Sequence, residues 1–219
     1  MGILSVKREN IIERPHIAGS INQTADIEAI GDDDIFSQMI VYERRFDAVK
    51  AARVTFQQMR FKNVVFTKSD LSAADIEDVI FENCNLSNLL LTGAVIRRTE
   101  FLSCKLLGAD FSNASFKNVR FCTCAAKYVS FRFAALDRVM FDECGLGLAD
   151  FVEAHFSSTK FQKADLRQAQ MSGVPLDGID LSSCDIDGLG ARAEDLRGAV
   201  FSFEQAIVAA KIIGIVIKD

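Results

Sequence analysis

Every fifth residue from Phe36 to Phe201 is apolar, an unbroken register of 34 positions. Sixteen of the eighteen phenylalanines fall in it, where chance would place one in five. Neither an α-helix, with its period of about 3.6, nor a strand, with its period of 2, produces such a pattern. A short period held without insertion over most of a chain predicts a solenoid of uniform coils.

The position two residues before each large one supports this. It is occupied by Val64, Ser69, Ala74, Val79, Cys84, Ala94, Thr99, Cys104, Ala109 and Ala114, and the run of small residues continues to Cys184. Large and small side chains alternating inward fill a narrow tube without voids. The position two residues after the large one collects Gly93, Gly108, Gly173, Gly178, Gly188 and Gly198, together with Asn63, Asn83, Asn88, Asn113 and Asn118. Gly and Asn tolerate the positive φ required at the second central residue of a type II turn, so each pentad is expected to end in a corner.

The pentads Cys-Asn-Leu-Ser-Asn (84–88), Ala-Asp-Phe-Ser-Asn (109–113), Ala-Asp-Phe-Val-Glu (149–153) and Ala-Asp-Leu-Arg-Gln (164–168) resemble the A(D/N)LXX motif of pentapeptide repeat proteins. The resemblance covers about three quarters of the chain. It implies an all-β fold, a right-handed quadrilateral parallel β-helix with four pentads to a coil. The sequence supports the twenty-residue coil independently. Cys84, Cys104, Cys124, Cys144 and Cys184 are spaced by twenties with Ala164 in the gap, and Phe61, Phe81, Phe101, Phe121, Phe141 and Phe161 form a parallel column.

Three segments are expected: an N-terminal cap over residues 1–45, the repeat β-helix over 46–201, and a C-terminal helix and tail over 202–219. Coils are expected from Phe46 because Arg44 would point inward and Asp32, Asp33 and Asp34 crowd the start of the register. About eight coils at ~4.8 Å each would span ~38 Å. Ile11, Ile12, Ile17, Ile21 and Ile27 are candidates to cover the open first coil. Ser202 with Gln205 reads as a capping box and Gly214 as a stop, which predicts a helix of about eleven residues. Its apolar face, Phe203, Ala206, Ile207, Ala210 and Ile213, is expected to close the last coil.

The cysteine column is read as buried thiols acting as small hydrophobes. A single column of side chains cannot surround a tetrahedral ion, and no metal spacing accompanies it. No apolar signal core is evident near the start and no run reaches membrane-spanning length, so a cytoplasmic, soluble protein without a membrane association is expected. Charge is uneven: residues 1–35 carry −4, 36–133 carry +5 and 134–219 carry −6. Much of it should cancel between coils, through Glu77–Arg97, Asp78–Arg98, Lys117–Asp137, Glu143–Lys163 and Arg167–Asp187, each exposed pair contributing ~0.2–1 kcal/mol.

No catalytic constellation is present. The two histidines, His16 and His155, are tied to no nucleophile, and neither a phosphate-binding loop nor a dinucleotide motif occurs. The expected function is non-enzymatic, without a cofactor: a protein-binding scaffold of bacterial cytosol. The alternative implied by the resemblance is that of Qnr-type members, rods that mimic duplex DNA, bind DNA gyrase or topoisomerase IV and protect them from quinolones, with no direct nucleic-acid binding. Outward Leu102, Tyr128, Phe133 and Leu148 form a candidate interaction patch, although scattered surface apolar residues are also ordinary. Ile207, Ile213 and Ile215 are candidates for a homodimer contact through the C-terminus.

Overall fold

The computed structural model describes residues 11–17 and 27–218. A positive φ recurs at every fifth residue from Asp33 to Gly178 without a miss. These are the corners, four to every twenty residues, and parallel pairing joins residues twenty apart. Thr55 thus stands beside Asp75, then Val95, Ser115 and Ala135 in successive coils. The molecule is a four-sided β-solenoid.

Its strands are β1 (Ile35–Ser37), β2 (Ile40–Tyr42), β3 (Thr55–Lys62), β4 (Asp75–Glu82), β5 (Val95–Leu102), β6 (Ser115–Cys122), β7 (Ala135–Asp142), β8 (His155–Ser157) and β9 (Lys160–Gln162). They stack in the order β1-β3-β4-β5-β6-β7-β8, with β2 also on β3 and β9 on β7. Two adjacent sides, residues 54–63 and their equivalents, carry all of them. The other two, 64–73 and equivalents, are held by single bridges such as Val65–Asn85 and Asp70–Leu90. On these bridge sides the amide three residues after the large residue returns to its carbonyl, as Ala74 does to Leu71 and Leu89 to Leu86, closing a turn.

The core follows the register. Phe61, Phe81, Phe101, Phe121, Phe141 and Phe161 stack with centroids 4.7–5.1 Å apart and planes within 10°. A second stack, Phe111, Phe131 and Phe151, meets the first edge to face, as at Phe121–Phe131 (5.9 Å, 81°). The coil repeat therefore sets an offset-stacked distance within each column, and the width of the tube sets an edge-to-face one between these two facing columns, both favoured aromatic geometries.

The cysteines do more than fill space. Cys84, Cys104, Cys124 and Cys144 donate Sγ–H to the carbonyls of Phe61, Phe81, Phe101 and Phe121 at 3.3–3.4 Å. Ser69 and Thr159 do the same for Phe46 and Leu136. A small inward donor satisfies a carbonyl of the preceding coil.

Coil geometry begins upstream of Phe46, since Phe36 already pairs with Phe56 and Val41 with Phe61. The aspartates that crowd this start form a corner: Asp33 (φ 60) pairs with Arg53 at 2.7 Å, and Asp32 accepts the Ala52 amide. Ile27 and Ile30 are buried against the first coil. Ile11 is exposed, Ile12 and Ile17 are half-buried, and Ile21 lies outside the described residues.

At the other end the register loosens. Residues Glu194–Leu196 form a 3-10 turn, and Gly178 donates to Gly198 one residue further along than corners elsewhere do. Helix α1 (Ala206–Ile212) is shorter than expected at seven residues. The capping box forms, with the Ser202 amide on Gln205 Oε1 (2.8 Å) and the Gln205 amide on Ser202 Oγ (3.3 Å). Gly214 (φ 84) ends the helix in a Schellman arrangement, through Gly214 N–H to Lys211 and Ile215 N–H to Ala210. The inward face differs from the one the sequence suggests. Val208 and Ile212 pack on the core, and Gln205 Nε2 donates to the carbonyls of Leu181 and Cys184. Phe203, Ile207 and Ile213 face outward.

Candidate interaction surfaces

The corners impose a conformation that L-residues resist, because Cβ then approaches the following carbonyl. Gly, Asn and Asp meet it at least cost, and long polar chains extend from it into solvent. Of the 26 non-glycine residues with positive φ among the described residues, three are large and apolar or aromatic: Tyr128, Phe133 and Leu148. They occupy neighbouring coils. Tyr128 and Leu148 are stacked in the corner column between the two bridge sides, and Phe133 stands at the next corner. Tyr128 and Phe133 are each 54% exposed. A cation from the preceding residue covers each ring, Lys127 Nζ at 5.0 Å and the Arg132 guanidinium at 5.3 Å from the centroids.

The fourth patch residue stands apart. Leu102 ends β5 on a strand side and lies beside Cys122, away from the Tyr128 corner.

Beside Tyr128 is a feature that the aromatic pattern did not mark. One bridge side is hollowed by a depression of about 580 Å³, lined by Leu107, Ala125, Lys127, Gly145, Gly147 and Leu148 among others. Gly145 and Gly147 are not at corners and neither has a positive φ. A Cβ added at either would meet nothing closer than 3.9 and 3.7 Å respectively, so the backbone accommodates alanine. Their lack of a side chain is what lowers this wall. The sequence signal was available: these glycines break the corner register that six others obey. At the rim, Arg167 is held by Asp165 (2.7 Å) and Asp185 (3.4 Å), whereas Lys105 and Lys127 form no ion pair among the described residues.

Elsewhere charges cancel between coils. Glu77–Arg97 (3.0 Å), Asp78–Arg98 (2.8 Å) and Glu143–Lys163 (3.0 Å) pair as the twenty-residue spacing predicts. Arg167 turns to Asp165 and Asp185 instead of Asp187, and Asp137 pairs with Arg138 (2.8 Å) instead of Lys117. At the C-terminal end, Asp177, Asp180 and Glu194 form no ion pair with any described residue.

Among the described residues there is no group of three or more side chains suited to a metal ion. No helix among the described residues is long and apolar enough to cross a membrane. Ile207, Ile213 and Ile215 are all exposed in the single chain, with Phe203 and Val216 beside them in sequence.

A family model described as the pentapeptide repeat region matches residues 94–170, and one of pentapeptide repeats in eight copies matches 45–83, together more than half of the chain. The chain belongs to the pentapeptide repeat family. No curated protein matches its sequence significantly. Solved pentapeptide repeat structures similar to it include HetL from the cyanobacterium Nostoc, involved in heterocyst differentiation regulation (18% identity over 73% of this chain and 89% of that one, TM-score 0.41). Others are full-length QnrB1, a plasmid-mediated fluoroquinolone resistance protein (17%, 84% and 100%, TM-score 0.35), and a protein of the Arabidopsis thaliana thylakoid lumen (21%, 53% and 68%, TM-score 0.20).

Proposed function

We propose that this pentapeptide repeat protein is a non-enzymatic scaffold of the bacterial cytoplasm that binds a protein partner through the Tyr128–Leu148–Phe133 corners and the adjoining depression. The observation that carries this reading is the placement of three large apolar side chains at positions whose backbone disfavours them. The fold does not call for them there. Exposed aromatics beside a lowered wall are the anchors a partner surface docks on. Lys105 and Lys127, which form no ion pair among the described residues, favour a partner that presents carboxylates around an apolar centre. Leu102, on another side, is left out of this surface.

A photo-crosslinking residue at position 128, compared with one at the polar corner Ser103, tests the reading in extracts of the source cells. The expected result is one partner captured from position 128 only and lost on Phe133→Asn. Equal capture from both corners overturns it.

A second reading, DNA mimicry toward DNA gyrase or topoisomerase IV, is favoured by the acids at the C-terminal end that form no ion pair with any described residue. A homodimer through Ile207, Ile213 and Ile215 would bring two such ends together. A gyrase supercoiling assay with and without a fluoroquinolone separates the readings, since relief of inhibition by this protein is expected from mimicry alone.

A further inference from the structure

The two strand sides meet at the column Gln58, Asp78, Arg98, Asn118 and Arg138, which the chain passes inside continuous strands. Outward polar residues here are unusually buried, among them Asp78, Asn118 and Glu100, the last only 8% exposed. Part of the cover is the chain itself. The His16 amide donates to Asp78 Oδ1 (2.9 Å), with His16 Nδ1 4.0 Å from the same oxygen, and Arg14 Nε lies 3.9 Å from Glu100 Oε1. Asp78 belongs to β4 and Glu100 to β5, so residues 16 to 14 step from one coil to the next along the solenoid axis. Ile12, Pro15 and Ile17 are half-buried, while Ile11, Glu13, Arg14 and His16 are exposed.

The fit is incomplete. Glu100 Oε1 is buried without a hydrogen-bond donor; Arg120 Nη1 at 3.6 Å and Arg14 at 3.9 Å stop short of it. An acceptor of this kind favours any donor that reaches it. The rest of the surface is already set. Arg98 is fixed by two bonds to Asp78 at 2.8 Å, and Arg97 bridges Asp75 (2.8 Å) and Glu77 (3.0 Å).

We propose that this strand-side surface is a binding site for an extended, cation-bearing peptide segment of a partner protein, and that residues 11–17 occupy it in cis. Asp78 takes a backbone N–H of the peptide, and Glu100 takes a guanidinium or ammonium group two residues away. A tethered segment competes at high effective concentration, so the site opens to a partner only when the partner's cation engages Glu100 more closely than Arg14 does. The site lies on other sides of the solenoid than Tyr128, and the two surfaces stand or fall separately.

The test uses the full chain and a fluorescent peptide copying residues 9–20. Arg14→Glu places like charge against Glu100 and releases the segment from a side chain that is itself exposed, so the melting temperature should hold. The His16 amide should be protected from hydrogen exchange in the unaltered protein and lose protection in Arg14→Glu. The peptide should then bind Arg14→Glu about tenfold or more tightly than the unaltered protein, and adding Glu100→Gln should abolish that gain. Free exchange at His16 in the unaltered protein, equal peptide binding to both proteins, or binding indifferent to Glu100→Gln overturns the proposal.

Discussion

At the scale of single residues, the inward positions do two kinds of work. Large ones exclude water, and small donors serve carbonyls that the turn pattern leaves free. Phe121→Asp would leave a buried, unpaired charge costing several kcal/mol and should abolish the β-type circular dichroism signal, whereas Ser112→Asp, facing outward, should fold. The Cys104 thiol and burial, against an opposing hydrogen bond from Cys144, push Cys124 up to about 12. Cys124 and burial push Cys144 up as well. Partly exposed Cys122 is raised chiefly by burial, with Asp142 and Cys144 adding to the shift and Arg120 opposing it. Cys84 is instead lowered by its hydrogen bond with Cys104, yet it is buried, so access decides: a thiol reagent at pH 8 should modify native protein first at Cys122, and the column only after denaturation. The period made the burial of these thiols legible in the sequence. Their bond to the carbonyl 23 residues earlier was not, because it depends on which corners lack a turn hydrogen bond. Glu77 shows the sign of the acid limit. The Arg97 hydrogen bond outweighs desolvation and holds its carboxyl below the usual range, so its stabilisation is present above the unfolded value near ~4.3 and is lost as pH falls through the lower folded one.

At the scale of elements, corners and caps divide the labour between shape and closure. Corner side chains contribute little to the core, so Tyr128→Asn and Phe133→Asn should leave stability unchanged or raise it by up to about 1 kcal/mol while weakening partner binding. Thermal melts beside a binding assay check this, and a large loss of stability would mark these rings as structural. The patch was half legible. Corner positions follow from the period, so Tyr128, Leu148 and Phe133 could be placed on one face, but Leu102 belongs to a different side. Side-to-side distance is set by the four corners of the coil, and proximity in sequence does not measure it. The capping box was legible because its two residues are local. The inward face of α1 was not, because seven residues on an irregular last coil can dock by more than one stripe, and Gln205 decides it by reaching the Leu181 and Cys184 carbonyls. Gln205→Ala leaves both without that donor and should cost about 1–3 kcal/mol, read as a lower melting temperature.

At the scale of the whole molecule, the two ends of the solenoid are finished differently. The first coil is covered by Ile27 and Ile30 of its own chain. At the far end Val208 and Ile212 of α1 and the preceding Gln205 pack on the last coil, while Ile207 and, beyond the helix, Ile213 and Ile215 are left outward, with Phe203 90% exposed. Phe203 and Phe133 are the two phenylalanines outside the five-residue register, and the fold buries neither. An apolar surface on one end of a rod is closed most simply by the same surface of a second copy, since an isologous two-fold contact covers both at once. Such a head-to-head rod would be ~80 Å long at about eight coils per subunit. Deleting the helix is a poor test, because it also removes the Gln205 clamp. Ile207→Glu with Ile213→Glu alters only outward positions, and should leave the melting temperature of the single chain intact while converting dimer to monomer in light scattering at tens of micromolar. A full-length protein that is monomeric before substitution removes the contact, and with it the joining of acidic ends on which the DNA-mimic reading relies.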